Sequence, residues 1–128
     1  MDKYTKLTLE ELMRRKEQIM AAKKVKKTQT LYIESLDGTV VIEEPDRECI
    51  NDAVGMGDEG NEYLVYNCVI EPKLKSSELL KEFGCIEPSD IVGCLFNAGE
   101  IAQIATQCME IAGYKEGSVK AVNAIKNS

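Results

Sequence analysis

The longest apolar stretch of the chain, Ile86 to Tyr114, spaces its hydrophobic positions in alternating steps of four and three. Ile91, Leu95, Ala98, Ala102, Ala105, Met109 and Ala112 therefore fall on one helical face. A second row, Val92, Phe96, Ile101, Ile104, Cys108 and Ile111, widens that face until little polar surface is left. A helix of this kind has to be covered on most sides. Pro88, Ser89 and Asp90 suit a first helical turn, and Gly113 suits the left-handed residue that closes a last one. Asn97-Ala98-Gly99-Glu100 interrupts the run, which predicts two helices folded against each other. The same residues would serve as the core of a small helical domain or as a groove for a partner's helix.

Upstream, Leu7-Thr8-Leu9-Glu10-Glu11-Leu12 reads as a helix start. Thr8 is the cap, Glu11 is placed to return the bond, and Leu7 is placed to staple onto Leu12. A helix from Leu9 to about Ala22 follows, with a narrow apolar stripe of Leu9, Leu12, Met13, Ile19 and Met20 interrupted by Lys16. Thr30 to Glu44 alternates as a β-hairpin around Asp37-Gly38. A two-residue turn there would set Ile33 opposite Ile42 and place Leu31, Ile33, Val40 and Ile42 on one apolar face. Two strands alone are marginal in water, so that face needs a helix or another subunit's strand against it, a first sign of self-association.

Pro45 ends the hairpin, and Asp46 caps a short helix through Ile50, Ala53 and Val54 that Gly55 and Gly57 terminate. Gly55 to Gly60 is glycine-rich but lacks the lysine and hydroxyl of a phosphate loop and carries two acids, so it is expected to be a mobile connector. Asn61 to Glu71 is ambiguous between strand and helix, its tyrosines and branched residues favouring one and its length allowing the other. Ser76 or Ser77 caps a short helix with Leu79, Leu80 and Phe83, and Gly84 ends it. The tail carries Val119, Val122 and Ile125 at helical spacing and little else, and is expected to fray. The fold class is thus mainly α with one β-hairpin, a small α+β helical domain. Residues 1–27 form a basic helical arm, 28–114 a body and 115–128 a flexible tail, together one domain.

Composition narrows the function. The net charge of −6 divides unevenly: residues 1–27 hold nine basic and four acidic side chains, the remainder seven basic and eighteen acidic. Attraction between basic arm and acidic body, within or between subunits, explains this more economically than nucleic-acid binding, because no aromatic residue is interleaved in Arg14 to Lys27 for base stacking. There is no histidine, hence no Ser-His or Cys-His nucleophile. The cysteines, at 49, 68, 85, 94 and 108, form no close pairs and read as small buried hydrophobes in a reducing, cytosolic compartment, so no metal site is expected. Asp90 and Glu100 point to different helical faces and Glu110 stands alone, so no acid–base pair is assembled. No run of about eighteen apolar residues is present to span a membrane. No catalytic residue, cofactor or enzyme activity is expected.

The charged first helix, the hairpin LYIESLDGTVVIEEP, the segment YLVYNCVIEPKLKSSELLKEFGCIEPSDIV and the closing NAGEIAQIATQCMEIAGY, taken in that order, resemble the XkdN-like phage tail assembly chaperones of contractile-tail phages and phage-derived tail-like particles. The resemblance spans about residues 7 to 114. It implies a mostly helical fold, which favours helix for Asn61 to Glu71. It also implies a protein of the host cytoplasm that binds the tape measure protein, assists the tail tube protein to assemble around it, and is absent from the finished particle. A structural adaptor that stays in the tail is the alternative. Contacts to the client are expected from Leu9, Met13, Ile19 and Met20 on the basic helix and from an exposed edge of Ile101, Ile104, Met109 and Ile111, methionine being adaptable to varied partners.

Overall fold

Residues 5–122 are described by a computed structural model of the chain. The chain separates into two compact units. One draws on both chain ends, residues 5–26 and 116–122 of the described part, and the other is the body, Lys27–Lys115.

In the first unit the predicted helix forms in two segments, α1 (Leu9–Arg14) and α2 (Lys16–Lys24), which break at Arg15 and continue past Ala22. Thr8 Oγ1 accepts from the Glu11 N–H at 3.1 Å, as a cap should. The Glu11 carboxylate does not return the bond; it accepts instead from Arg14 at 2.8 Å and Arg15 at 3.0 Å. Two guanidinium partners one helical turn away outcompete one backbone N–H for the same anion. Residues 115–121 are irregular, with Val119 exposed and the predicted Ile125 outside the described residues.

The body begins with the hairpin, β1 (Thr28–Ile33) and β2 (Gly38–Glu43). Its register differs from the predicted one: Ile33 pairs with Gly38, Leu31 with Val40 and Gln29 with Ile42. A two-residue turn of the predicted type needs positive φ at both Asp37 and Gly38, and only Asp37 has it, at 45°. The loop is therefore longer, a 3₁₀ turn over Glu34–Leu36 closed by Asp37, whose carboxylate accepts from Tyr32 Oη at 2.6 Å. The partner of Ile33 is thus four residues from the predicted one, Gly38 in place of Ile42. An even slip leaves every side chain on its face, so Ile33, Val40 and Ile42 are buried together as expected, with Leu31 half-buried at the margin.

Asp46 caps α3 (Arg47–Gly55), accepting from Cys49 N at 2.8 Å; Ile50 and Ala53 are buried, while Val54 is exposed. The stretch Gly55 to Gly60 is not a loose connector. Gly57 takes φ +63°, a 3₁₀ turn covers Gly57–Glu59, and α4 (Gly60–Cys68) starts at once, packed on α3. The ambiguous segment resolves as both alternatives: α4, then β3 (Val69–Glu71), which extends the hairpin into an antiparallel sheet in the order β1-β2-β3. After Pro72, Leu74 is 1% exposed between two lysines. Ser76 caps α5 (Ser77–Glu82), and α6 (Asp90–Leu95) and α7 (Ala98–Ile111) complete the body, separated where the sequence places a break.

α7 packs against β1 and α4, and α4 against α3 and α6, around one apolar cluster. Of the two rows on the apolar segment, the second supplies most of the core: Val92, Phe96, Ile101, Ile104 and Cys108, with Ile91 and Ala105 from the first. Ala98 and Ala102 face outward, contrary to expectation, because α7 is covered on one side only. Gly113, at φ +100°, closes α7 as predicted, with Tyr114 N donating to Met109 O at 3.0 Å.

The amino end of α7 is tied to the hairpin loop. Glu100 Oε1 accepts from Asn97 N at 2.8 Å, completing a reciprocal cap, and from the Ser35 hydroxyl at 2.9 Å. The Asn97 N–H and then Ser35 hold the Glu100 carboxyl below its ordinary value. A depressed folded-state pKa contributes stability that is complete above the unfolded-state pKa and is lost as pH falls through the folded one. Glu100→Ala should lower the urea midpoint at neutral pH, with the gap to the parent closing as pH falls through that depressed pKa.

A second prediction concerns Gly60. Its φ of −62° is helical, so alanine would gain about 1 kcal/mol of helix propensity, but a methyl group there would collide with the Ala53 carbonyl oxygen. Overpacking at about 1–3 kcal/mol exceeds that gain, so Gly60→Ala should destabilise in urea denaturation. Gly55→Ala, where an added methyl meets nothing within 4 Å, should be neutral or stabilising by up to about 1 kcal/mol.

Candidate partner-binding surfaces

α1 and α2 bury none of their residues. Leu9, Met13 and Met20 lie four and then seven positions apart, a helical repeat, with Ile19 beside them. Leu9 is 74% exposed and Met13 69%, and Ile19 and Met20 are exposed as well. Glu11 is anchored to Arg14 and Arg15 on the same helix, an exposed ion-pair set that lowers the Glu11 carboxyl. The four side chains therefore stand exposed on either side of the break at Arg15, Leu9 and Met13 on α1 and Ile19 and Met20 on α2, beside the charged set of Glu11, Arg14 and Arg15.

The second set of expected contact residues is placed differently. Ile101 is 8% exposed and Ile104 3%, both inside the core cluster, and Met109 and Ile111 are half-buried against it. α7 turns these residues to α4 and the sheet because they are the side chains large enough to fill that space, and its outward strip is Ala98, Ala102, Gln103 and Thr106. No exposed edge is built from Ile101 and Ile104. Apolar surface on the body lies elsewhere: Ile86 is 91% exposed, in the stretch between α5 and α6 that also exposes Phe83. The sequence carries a faint signal of this, since Ile86 stands between Gly84 and Pro88, where no periodic element can carry it to the core.

Shallow grooves mark the body among the described residues. One of about 440 Å³ runs between β1 and α7, lined by Leu31, Tyr32, Gln103 and Gln107 among others. Glu100 borders it, with its carboxylate already accepting from Asn97 and Ser35 and its pKa lowered, which unsuits it to take up a proton. Another, about 420 Å³, lies beside β3, where Lys75 donates to Asn67 Oδ1 at 3.1 Å and stands 5.3 Å from the centre of the Tyr66 ring. Among the described residues no group of three or more His, Cys, Asp or Glu could hold a metal ion. Cys68 and Cys108 are buried, Cys49 and Cys85 half-buried, and Cys94 is exposed, against the expectation that every cysteine is internal; α6 gives Ile91 and Val92 to the core and leaves Cys94 on its other side. Burial pushes the Cys49 thiol up to about 11, away from the reactive thiolate.

A family model described as phage XkdN-like tail assembly chaperone protein matches residues 9–126. No curated protein and no solved structure matches the chain.

The two sets of residues should behave differently under mutation. Ile104→Ala removes buried volume and should cost about 2–5 kcal/mol in urea denaturation, whereas Met13→Asp, at an exposed position, should change stability by no more than about 0.5 kcal/mol.

Proposed function

Because the chain belongs to the XkdN-like family of phage tail assembly chaperones, we propose that it holds the tape measure protein in soluble form during assembly of a contractile tail and leaves before the particle is finished. A tape measure is a long chain whose apolar helical stretches aggregate until the tube encloses them. A helper for such a client has to offer replaceable apolar contacts rather than a deep, rigid pocket.

The observation that carries this reading is the exposed row Leu9, Met13, Ile19 and Met20 on a capped, positively charged helix pair. Two of the four are methionines, whose unbranched side chains adapt to varied apolar partners. In this reading the protein works in the host cytoplasm, carries out no chemical step, and hands the client over as tail tube protein polymerises around it. Met109 and Ile111, half-buried beside the core, take no more than a marginal part.

The test is co-expression with a tape measure protein from the same phage or prophage genome. The parent chain should keep that protein in the soluble fraction, and Met13→Asp combined with Met20→Asp should return most of it to the pellet while the variant itself stays folded by circular dichroism. Unchanged client solubility would remove the helix pair as the contact. Mass spectrometry of purified particles should find no copy of this chain; a stoichiometric amount there would replace the chaperone reading with that of a structural adaptor.

A further inference from the structure

The two edges of the sheet are defended unequally. β3 is three residues long and runs straight into Pro72, a short edge that ends in a residue unable to donate. β1 is twice as long, and its sequence TQTLYI contains no charge, proline or glycine. Thr28, Gln29, Thr30 and Tyr32 are exposed. A long uncharged edge of this kind is a template for another strand.

We propose that this edge pairs antiparallel with β1 of a second copy of the chain, about a two-fold axis through Thr30. The backbone fixes the register. Lys27 O accepts from Glu44 N at 2.7 Å, which continues the β1–β2 register and makes that pair one whose groups point toward β2. By alternation Gln29, Leu31 and Ile33 also point toward β2, and Thr28, Thr30 and Tyr32 present their N–H and C=O groups to the open edge. Two such strands satisfy all of those groups in one arrangement, with Thr30 opposite Thr30 of the other copy and each Thr28 opposite the other's Tyr32. A two-fold axis normal to the sheet also requires facing residues to share a face, and these do.

Side chains and charge agree with that register. On the outer face it makes a threonine pair flanked by threonine–tyrosine pairs, both favourable across strands. On the inner face it brings the second copy's Leu31 opposite Gln29, over the groove between β1 and α7, where Leu31 is itself only half-buried. The strand carries Lys27 at its start and is followed by Glu34. Antiparallel pairing brings the basic end of each strand to the acidic end of the other, whereas parallel pairing would stack like charges. The occupant that fits the edge is therefore the same edge.

The experiment uses the full chain in analytical ultracentrifugation across a concentration series, with expected mass rising to twice the 14.2 kDa of one chain. Thr30→Pro removes an outward N–H and seats a ring where the second strand would lie, at an edge position that tolerates proline, so this variant should stay folded and remain monomeric. Oxidation of Thr30→Cys should give a covalent dimer through the two introduced thiols, located by peptide mapping, while Thr28→Cys should not, since facing residues of such a pair stand about 5.5 Å apart and Thr28 faces Tyr32. A parent that stays monomeric throughout overturns the proposal. So does a dimer that survives Thr30→Pro, or a cross-link at Thr28→Cys in place of Thr30→Cys. If Thr30→Pro unfolds, the cross-linking pair decides alone. A parent that is monomeric by itself but protects the edge from hydrogen exchange when bound to the tape measure protein also overturns it, and assigns the edge to the client.

Discussion

Ile33, Val40 and Ile42 form the apolar face of a sheet of three short strands, and a sheet of that size does not hold in water with the face uncovered. The body is the answer to that requirement. α7 lies against β1 and α4 against α7, so that Leu64, Val65, Ile101, Ile104 and Cys108 fill the space above the strands. With each large side chain worth about 1.5–3 kcal/mol when fully covered, this cluster is the main favourable term for the body. It also explains the neighbouring details: Gly60 lets α4 begin close against α3, and Glu100 fastens the start of α7 to the hairpin loop through Ser35.

Much of this was legible because the signals are local. Thr8, Asp46 and Ser76 cap helices from where they stand in the sequence, and the break at Asn97 separates α6 from α7 as its composition requires. The face of the hairpin survived an error in its register, since alternation has a period of two and the slip was even. What local pattern could not supply was tertiary choice. Residues 61–71 satisfy both helix and strand rules and use both, changing state at Val69 where β2 offers a place to pair. Leu74 has no periodic neighbours to announce it and is buried by the turn after Pro72.

The candidate contact residues divide on the same principle. An apolar stripe along a charged helix is visible as composition, and the row from Leu9 to Met20 lies exposed. On α7 the apolar residues outnumber any single face, so the sequence could not say which row would be spent on the core. Size settled most of it: Ile101 and Ile104 went inward with Ala105 between them and Cys108, and Ala98 and Ala102 went outward. The open edge of β1 was invisible for a different reason. A hairpin has two free edges, and which of them stays open is settled only when β3 joins the far side of β2, a pairing that lies twenty-six residues or more along the chain from the hairpin it completes.

Magnitudes connect the two surfaces. A contact that buries Leu9, Met13, Ile19 and Met20 gains roughly 6–12 kcal/mol before costs. Association and the ordering of side chains take back about 4–15 kcal/mol. A single engagement therefore sits near balance, which suits the displaceable contact proposed above but would be too weak to hold such a client alone. Joining two copies through β1 changes the arithmetic without a new client contact, because the second helix pair then binds at an effective concentration set by its tether. On the proposed reading, weak stripes presented in pairs along one long client would retain it collectively, and each would be released singly when a growing tube competes for the same apolar surface.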